Sequence, residues 1–154
     1  MTAVKDDRPD HVLALVGYVL EGFRSDLVNA LSGSGAKRVP PPARGLRPSQ
    51  IRMLSLTPVD GMRVTDLAER VGMTKQALGE FANDLERQGL LETVRDPTDR
   101  RVRILRPTRR GRRAVEAAEA VIGEVEGRWR TRMGPRKWEQ LRRLLAEAAD
   151  LGTD

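Results

Sequence analysis

The sequence contains no cysteine and only one histidine, His11, among its 154 residues. The absence of cysteine excludes thiol catalysis, thiol redox sensing, disulfide bonds and cysteine-based metal sites. A single histidine excludes a metal site assembled from several histidines of one chain. Since the sequence also lacks a glycine-rich phosphate-binding loop, it offers no catalytic constellation. We therefore expect a protein that is not an enzyme and that carries neither a cofactor nor a metal ion.

Aromatic residues make up only 3% of the chain, and no apolar run approaches the length of about 18 residues that a membrane-spanning helix needs. The opening stretch "MTAVKDDRPD" has neither the basic start nor the apolar core of a signal peptide. These features predict a cytoplasmic protein without a membrane partner. Few aromatics beside abundant leucine, alanine, valine, glutamate and arginine favour a mainly helical fold.

The chain carries a net charge of +6, and this charge is concentrated in one region. Residues 95–113 contain nine arginines and two aspartates, which gives that segment a net charge of +7. Dense arginine on a turn, a strand and a helix start is typical of a surface that follows nucleic-acid phosphates. The guanidinium fork also fits narrow minor grooves. The charge distribution therefore predicts a nucleic-acid partner.

An amphipathic helix and a proline-rich segment precede the basic region. Residues 11–31 carry a broad apolar stripe at helical spacing. Residues 32–48 contain three glycines and four prolines, which excludes a long helix or a central strand. We interpret this segment as a flexible connector, with a functional loop as the alternative.

A short helix and then a helix-turn-helix follow this segment. Pro48 suits the start of the short helix. The stretch "VTDLAERVG" predicts the first helix of the pair, with Thr65 as its N-cap and Gly72 as its stop. The stretch "TKQALGEFANDLERQG" predicts a longer second helix between the N-cap Thr74 and Gly89. Two helices joined by so few residues are the arrangement of a helix-turn-helix.

The second helix of this pair has one apolar side and one polar side. Leucine, phenylalanine and alanine at helical spacing predict the buried stripe. Gly79 costs a helix about 1 kcal/mol relative to alanine, which is explained if a DNA backbone comes close to it. A solvated face is the alternative interpretation of the polar side. The candidate DNA contacts on this helix are Thr74, Lys75, Gln76, Gly79 and Asn83.

Two β-prone runs, "LLETV" and "VRIL", flank the stretch "RDPTDRR" and predict a β-hairpin. Asp96 and Pro97 suit its turn. We expect Val102 and Ile104 to face the helices while alternate arginines face outward. Asp99 is predicted to orient Arg101 through an ion pair and not to touch DNA itself. The candidate DNA contacts of the hairpin are Arg95, Arg100, Arg101 and Arg103.

The remaining residues predict a long helix near 108–133 and another near 134–152. Their apolar stripes include Trp129 and Trp138, which we interpret as core residues of one subunit or of a dimer. The stripe of the last helix is predicted to face inward along its whole length. The fold class is therefore mainly α with a small β-hairpin wing, that is, a winged helix-turn-helix core between terminal helices.

This pattern resembles the MarR (multiple antibiotic resistance regulator) family of bacterial transcription factors. Residues 64–111 carry the resemblance, above all "DPTDRR", the strand after it and "TRRG" at 108–111. Pro107 stands where the family pattern has leucine. The resemblance implies a cytoplasmic, nucleoid-associated homodimer that binds pseudo-palindromic double-stranded DNA. Its recognition helix would enter the major groove, and its wing arginines would reach a minor groove.

The resemblance also implies a domain organisation and a response to ligands. Residues 1–33 would form an N-terminal dimerisation helix, 34–48 a linker, 49–111 the DNA-binding domain and 112–154 the C-terminal dimerisation helices. Many members repress transcription and release DNA when a small aromatic effector binds, while the effector-binding residues of this chain stay unassigned. The alternatives are an activator or architectural DNA-binding protein, or a winged-helix module for RNA or protein.

Overall fold

The computed structural model describes residues 9–32 and 37–151. The predicted mainly helical fold with a small β-sheet is confirmed. Residues 1–8, 33–36 and 152–154, which belong to the predicted terminal units and linker, lie outside the described part. In chain order the elements are α1 (Val12–Ser32), α2 (Pro48–Leu56), β1 (Met62–Arg63), α3 (Val64–Val71), α4 (Lys75–Arg87), β2 (Leu91–Arg95), β3 (Arg103–Pro107), α5 (Arg109–Met133) and α6 (Pro135–Leu151). Within this part of the chain no helix has the length and apolarity that crossing a membrane demands.

The proline-rich segment is packed against the body of the protein where the structure describes it. Val39, Ala43 and Leu46 are buried in the core, and the Gly45 amide donates a hydrogen bond of 3.2 Å to the Leu31 carbonyl at the end of α1. Our interpretation as a flexible connector is therefore wrong for residues 37–47. The prolines prevent a helix there, but the three apolar side chains still gain stability by burial.

Helices α3 and α4 form the predicted helix-turn-helix. Gly72 ends α3 with φ +74°, a left-handed conformation that suits glycine. The Thr74 hydroxyl accepts a hydrogen bond of 3.1 Å from the Ala77 amide and caps α4. The predicted N-cap Thr65 is wrong, because α3 already begins at Val64 with Arg63 as its N-cap. The cause is β1, which leads directly into α3.

The sheet has three strands in the order β1–β3–β2, so the predicted hairpin has an additional edge strand. Both pairings are antiparallel, with Arg63 opposite Ile104 and Val94 opposite the same residue on the other side. An isolated two-stranded hairpin is only marginally stable, and pairing with a third strand stabilises it. It also places Arg63 beside the wing.

The inward side of the hairpin differs from the predicted one. Leu105 and Pro107 are buried, and they share a face with Arg103 because side chains alternate along a strand. Val102 and Ile104 are only half-buried. The core-facing side thus ends before the wing tip, and Arg103 extends beyond it into solvent.

The stretch "TRRG" joins the wing to α5 by close contacts. The Thr108 hydroxyl accepts from the Gly111 amide at 3.0 Å and donates to the Gly89 carbonyl at 2.6 Å. A Cβ at Gly111 would lie only 2.0 Å from the Leu90 carbonyl oxygen. The spacing from Thr108 to Gly111 therefore has a local reason: one residue caps the helix and the other lets it approach the chain before β2.

The terminal helices meet at an aromatic cluster. The rings of Phe23 and Trp129 stack with centroids 4.3 Å apart, and Trp138 lies against the same phenylalanine at 5.9 Å. The Trp129 indole N–H donates a 2.8 Å hydrogen bond to Asp26. The two tryptophans thus contribute to packing within one subunit, as one of the two interpretations predicted.

Most of the apolar stripe on α6 stays uncovered within one chain. Trp138 is buried and Leu141 half-buried. The prediction that the rest of the stripe faces inward is wrong for the single subunit, because Leu144, Leu145, Ala148 and Leu151 are exposed. On α1, Val12, Leu13, Leu15, Val16 and Leu20 are exposed as well.

Candidate nucleic-acid interface

The N-terminal end of α4 presents polar side chains to solvent. Thr74, Lys75 and Gln76 are all exposed at its first turn. Asn83 lies exposed two turns further along the helix. Gly79 leaves its face open, because a Cβ built there would meet no atom within 4 Å. This end and this side of the helix are free to receive another molecule.

The opposite side of α4 is fixed in the core. Leu78 and Leu85 have no exposed surface. Asp84 connects α4 to α2, since it accepts a 2.7 Å hydrogen bond from Gln50 and lies 3.8 Å from the Arg47 guanidinium. Arg47 also lies over the Phe81 ring, 5.4 Å from its centroid. Burial on one face and polar links to α2 orient the exposed end of α4.

The wing tip carries arginines without acidic partners. The exposed members are Arg95, Arg100, Arg101 and Arg103. None of these four guanidinium groups forms an ion pair with another residue that the structure describes. Arg103 donates to the Thr93 hydroxyl at 3.3 Å, and that hydroxyl donates to Glu86 at the end of α4. The tip therefore offers positive charge that no described carboxylate neutralises.

Asp99 shapes the tip in a different way from the predicted one. Its carboxylate accepts a 3.0 Å hydrogen bond from the Arg101 backbone amide, and its carbonyl accepts from the Val102 amide at 2.9 Å. The expected ion pair with the Arg101 side chain is absent among the described residues. A side chain two positions away reaches the backbone more readily, as in an Asx turn. Asp99 thus holds the main chain and leaves the Arg101 guanidinium unpaired.

Asp96 is the buried carboxylate of the wing. Its Oδ1 accepts from the Thr98 hydroxyl at 2.6 Å and from the Thr98 amide at 2.8 Å. Its Oδ2 accepts from the Arg63 guanidinium at 3.3 Å. The Thr98 hydroxyl and amide, with a smaller contribution from Arg63, lower the pKa of Asp96 from 3.8 to about 2 against the opposing effect of burial. The group is therefore ionised at neutral pH.

The other arginines of the basic segment divide into two groups. Arg106 pairs with Glu92 across the sheet at 2.7 Å, and Arg112 donates to the Pro107 carbonyl at 3.2 Å. Arg109, Arg110 and Arg113 are exposed on the first turns of α5. The dense arginine run thus supplies structural contacts away from the wing tip as well as unpaired cations at the tip.

Arg63 and Thr98 are functional candidates that the sequence interpretation missed. Asp96 followed two residues later by a threonine is a signal for an Asx turn, and it would have revealed Thr98. Strand β1 has only two residues, which is too short for any hydrophobic period, so the position of Arg63 beside Asp96 had no sequence signal.

Comparisons with known proteins agree with this architecture. The sequence model described as "MarR family" matches residues 44–102. No curated protein sequence matches the chain closely enough to establish a relative.

Three solved structures illustrate the similarity of the fold. CouR from Rhodococcus jostii RHA1 bound to p-coumaroyl-CoA is 24% identical, with a TM-score of 0.69 over 91% of this chain and 92% of that one. The PcaV transcriptional regulator from Streptomyces coelicolor, in complex with its natural ligand, is 25% identical, with a TM-score of 0.67 over 97% and 98%. The S. aureus MepR–DNA complex is 19% identical, with a TM-score of 0.70 over 92% and 98%.

The matched segment begins before α2 and ends within the wing, so it contains the helix-turn-helix, Asp96 and Asp99. Each of the three structures covers at least 91% of this chain, so the similarity of fold extends well beyond the matched segment. The resemblance seen in the sequence is thereby confirmed: residues 44–102 match the MarR family model, and the chain has the winged helix-turn-helix fold of the MarR-family structures that it resembles.

Proposed function

We propose that this chain is a homodimeric, sequence-specific DNA-binding regulator that represses transcription by occupying a pseudo-palindromic operator. One observation carries the proposal. The fold presents an exposed polar helix end at Thr74, Lys75 and Gln76 together with a wing tip whose arginines lack acidic partners among the described residues. A helix for the major groove and a cationic wing are the two parts that such proteins use to bind duplex DNA.

In this proposal the end of α4 reads the bases. Gln76 has an amide that can pair with the adenine edge, and Lys75 can meet guanine or a phosphate. Thr74 uses its hydroxyl oxygen as the helix cap, and its hydroxyl hydrogen remains for a phosphate oxygen. Asn83 and the open face at Gly79 extend the contact along the helix.

The wing binds the adjacent minor groove. Arg100 and Arg101 lie at its tip, and Arg95 and Arg103 lie opposite each other where the two strands end. The positive charge of these side chains favours the narrow, electronegative groove and its phosphates. Because four cations lie close together, DNA binding should weaken steeply as salt rises.

The partner that completes the terminal helices is a second copy of this chain. An apolar groove of about 460 Å³ between α1, α5 and α6 is lined mainly by leucine, valine, Phe23 and Trp138. Contiguous apolar residues that remain exposed on neighbouring helices indicate a protein interface. The exposed apolar residues lie on both α1 and α6. In a two-fold symmetric dimer, α1 and α6 of one copy can therefore cover the apolar face of α1 and α6 of the other copy. Such a dimer would present two recognition helices to two half-sites.

We also propose that DNA binding responds to a small organic effector. A cleft of about 350 Å³ lies between α1, α5 and the turn before α2, and both Arg38 and Arg128 line it together with the carboxylates of Asp26 and Glu124. Its volume suits a small molecule. A ligand there would contact a terminal helix and the segment that leads into the DNA-binding region. Titration of aromatic acids into the DNA complex tests this part: release of DNA by one of them, lost in Arg38→Ala, supports it, and retention of DNA throughout contradicts it.

Selection of bound duplexes from a random pool at physiological salt tests the DNA-binding function. We expect a two-fold symmetric consensus whose half-sites lie about 10 base pairs apart, because a symmetric dimer reads equivalent faces of the helix. Light scattering of the complex should give two copies of the chain per duplex. A pool without any enriched sequence would contradict sequence-specific regulation.

A further inference from the structure

The Asp96 carboxylate stabilises the base of the wing turn. Asp96 is the last residue before the turn, and its amide donates a 3.1 Å hydrogen bond to the Val102 carbonyl across the turn. Its two carboxylate oxygens divide their contacts: one holds Thr98 on the turn, and the other holds the Arg63 guanidinium. Asp96 therefore joins the turn of the wing to a residue outside the hairpin.

Arg63 lies directly before the first helix of the helix-turn-helix. It pairs with Ile104 as part of β1, and it is the N-cap residue of α3. Helix α3 in turn packs against α4, and its Leu67 and Val71 belong to the same buried core as the apolar side of α4. The ion pair of 3.3 Å between Arg63 and Asp96 thus connects the wing to the body that carries the recognition helix.

We propose that Arg63 and Asp96 form a positioning pair that fixes the orientation of the wing relative to α4, so that the wing arginines and the recognition helix reach DNA together. This inference rests on the DNA-binding function proposed above. Neither residue needs to touch a base. Asp96 is too buried to do so, and a carboxylate would repel the phosphates.

A positioning role for Arg63 and a direct contact of Arg63 with a DNA phosphate lead to different predictions. Arg63 is about half exposed, so its guanidinium has room to bind a phosphate by itself. A direct phosphate contact would act independently of Asp96 and would add to the effect of the wing arginines. A positioning pair acts through those arginines. The loss of DNA affinity on removing the pair should therefore not add to the loss on removing the arginines.

A double-mutant cycle on DNA affinity separates these two roles. The variants are Asp96→Asn, which keeps the shape of the side chain, and Arg101→Ala, each alone and combined, on the selected operator. We expect each single change to weaken binding about tenfold and the pair to weaken it little further. Arg63→Gln should behave like Asp96→Asn, and Arg63→Lys should restore part of the affinity because it keeps the charge. Losses that multiply in full would overturn the positioning role.

Arg106→Gln is the matched control. Arg106 also makes an exposed ion pair across the sheet, with Glu92 at 2.7 Å, but that pair joins β3 to β2 and does not reach β1. Its removal should leave the affinity within about twofold, as expected for an exposed pair. A loss as large as that of Arg63→Gln would mean that any ion pair in the sheet matters, and would overturn the specific role of Arg63.

Footprinting gives a readout that a general loss of stability would not produce. In Asp96→Asn we expect protection of the flanking minor grooves to disappear while protection of the central major grooves remains. Uniform weakening of both would contradict the inference. The melting temperature of each variant identifies any change that simply unfolds the domain, in which case Arg63→Gln, at a more exposed position, decides the outcome.

Hydrogen exchange without DNA keeps this inference separate from the proposed function. The amides of Thr98, Arg101 and Val102 are all hydrogen-bonded within the wing turn. Faster exchange at these amides in Arg63→Gln, with α4 unchanged, supports the pair even if the chain binds no duplex. Unchanged exchange would overturn it even if the wild-type protein binds DNA tightly.

Discussion

Leu78 and Leu85 on α4 are fully enclosed, whereas Leu13 on α1 and Leu151 on α6 are 80% and 81% exposed. The first pair lies in the winged region, from α2 to the start of α5. The second pair lies on the terminal helices, that is α1, the rest of α5 and α6. The core of the winged region is closed within one chain, with Leu31, Ala118 and Val121 of the terminal helices contributing to it, while α1 and α6 leave an apolar face open. The difference supports the proposed dimer, in which a second copy covers the terminal helices and leaves the winged region uncovered.

The largest expected effect is on the terminal helices. Leu145→Glu places a charge on the open apolar face, at a residue that lines the groove between α1 and α6. Burial of an unpaired charge costs several kcal/mol, so dimerisation should weaken by at least about 100-fold. Sedimentation should show a monomer, and affinity for the symmetric operator should fall with it.

Val59→Glu is the matched control for this change. Val59 is also an exposed apolar residue, 61% exposed, but it belongs to the winged region just before β1. We expect this variant to remain a dimer. A dimer that survives Leu145→Glu, or one that Val59→Glu disrupts equally, would show that the open face of α1 and α6 is not the interface.

A second prediction uses two glycines of one helix. Gly111 lies where α5 touches the winged region, and a Cβ there would be 2.0 Å from the Leu90 carbonyl oxygen. Gly111→Ala should lower the free energy of unfolding by about 1–3 kcal/mol or more, because backbone must move. Gly123 lies further along α5 with nothing within 4 Å of its Cβ, so Gly123→Ala should raise stability by roughly 1 kcal/mol.

Chemical denaturation of the two variants measures this contrast. Opposite signs would confirm that α5 is tightly packed at its start and loosely packed within one chain further on. Destabilisation by Gly123→Ala would instead mean that the partner subunit approaches α5 closely at that position. Equal, small effects would contradict the close approach at Gly111.

The two regions also differ in how far the sequence predicts them. The helix-turn-helix was predictable because its signals are local: the left-handed conformation that ends α3 favours glycine at position 72, and the Thr74 side chain caps the next helix. The terminal helices were predictable as helices. The apolar stripe on α6 does not reveal whether the same subunit or a partner covers it. A periodic pattern gives a face, and only the three-dimensional arrangement decides what covers that face.

The candidate site was predictable in part for the same physical reason. Exposed polar residues on α4 follow from its buried stripe, so Lys75 and Gln76 could be selected in advance. The partner of Asp96 could not, because Arg63 is separated from it by 33 positions and lies on a strand of two residues. The sequence predicts an orienting role for Asp99, but its carboxylate accepts from the Arg101 backbone amide and not from the Arg101 guanidinium.

A third prediction separates positioning contacts from base contacts at the open surface of the winged region. Arg101→Ala should weaken binding to all sequences by about tenfold and reduce the slope of log K against log salt by about 1 to 2, since each subunit loses a phosphate-following cation. Gln76→Ala should change the preferred sequence by about 1–3 kcal/mol at one position and leave the salt slope unchanged. Binding isotherms at several salt concentrations on matched and mismatched operators measure both. Identical behaviour of the two variants would contradict the division between wing and recognition helix.

The smallest expected effect concerns Gly79, the exception within the closed winged region. Its neighbours on the buried side of α4 are enclosed, yet a Cβ on Gly79 meets nothing within 4 Å. Gly79→Ala should therefore raise the free energy of unfolding by about 0.8–1 kcal/mol through helix propensity alone. The same methyl group would stand between α4 and a DNA backbone, so affinity for the operator should fall as stability rises. Gly123→Ala, with the same expected gain in stability and no place at the DNA surface, is the control. If both variants gained stability and neither lost affinity, the open face at Gly79 would be solvent-facing surface, and the DNA contact would be confined to the first turn of α4.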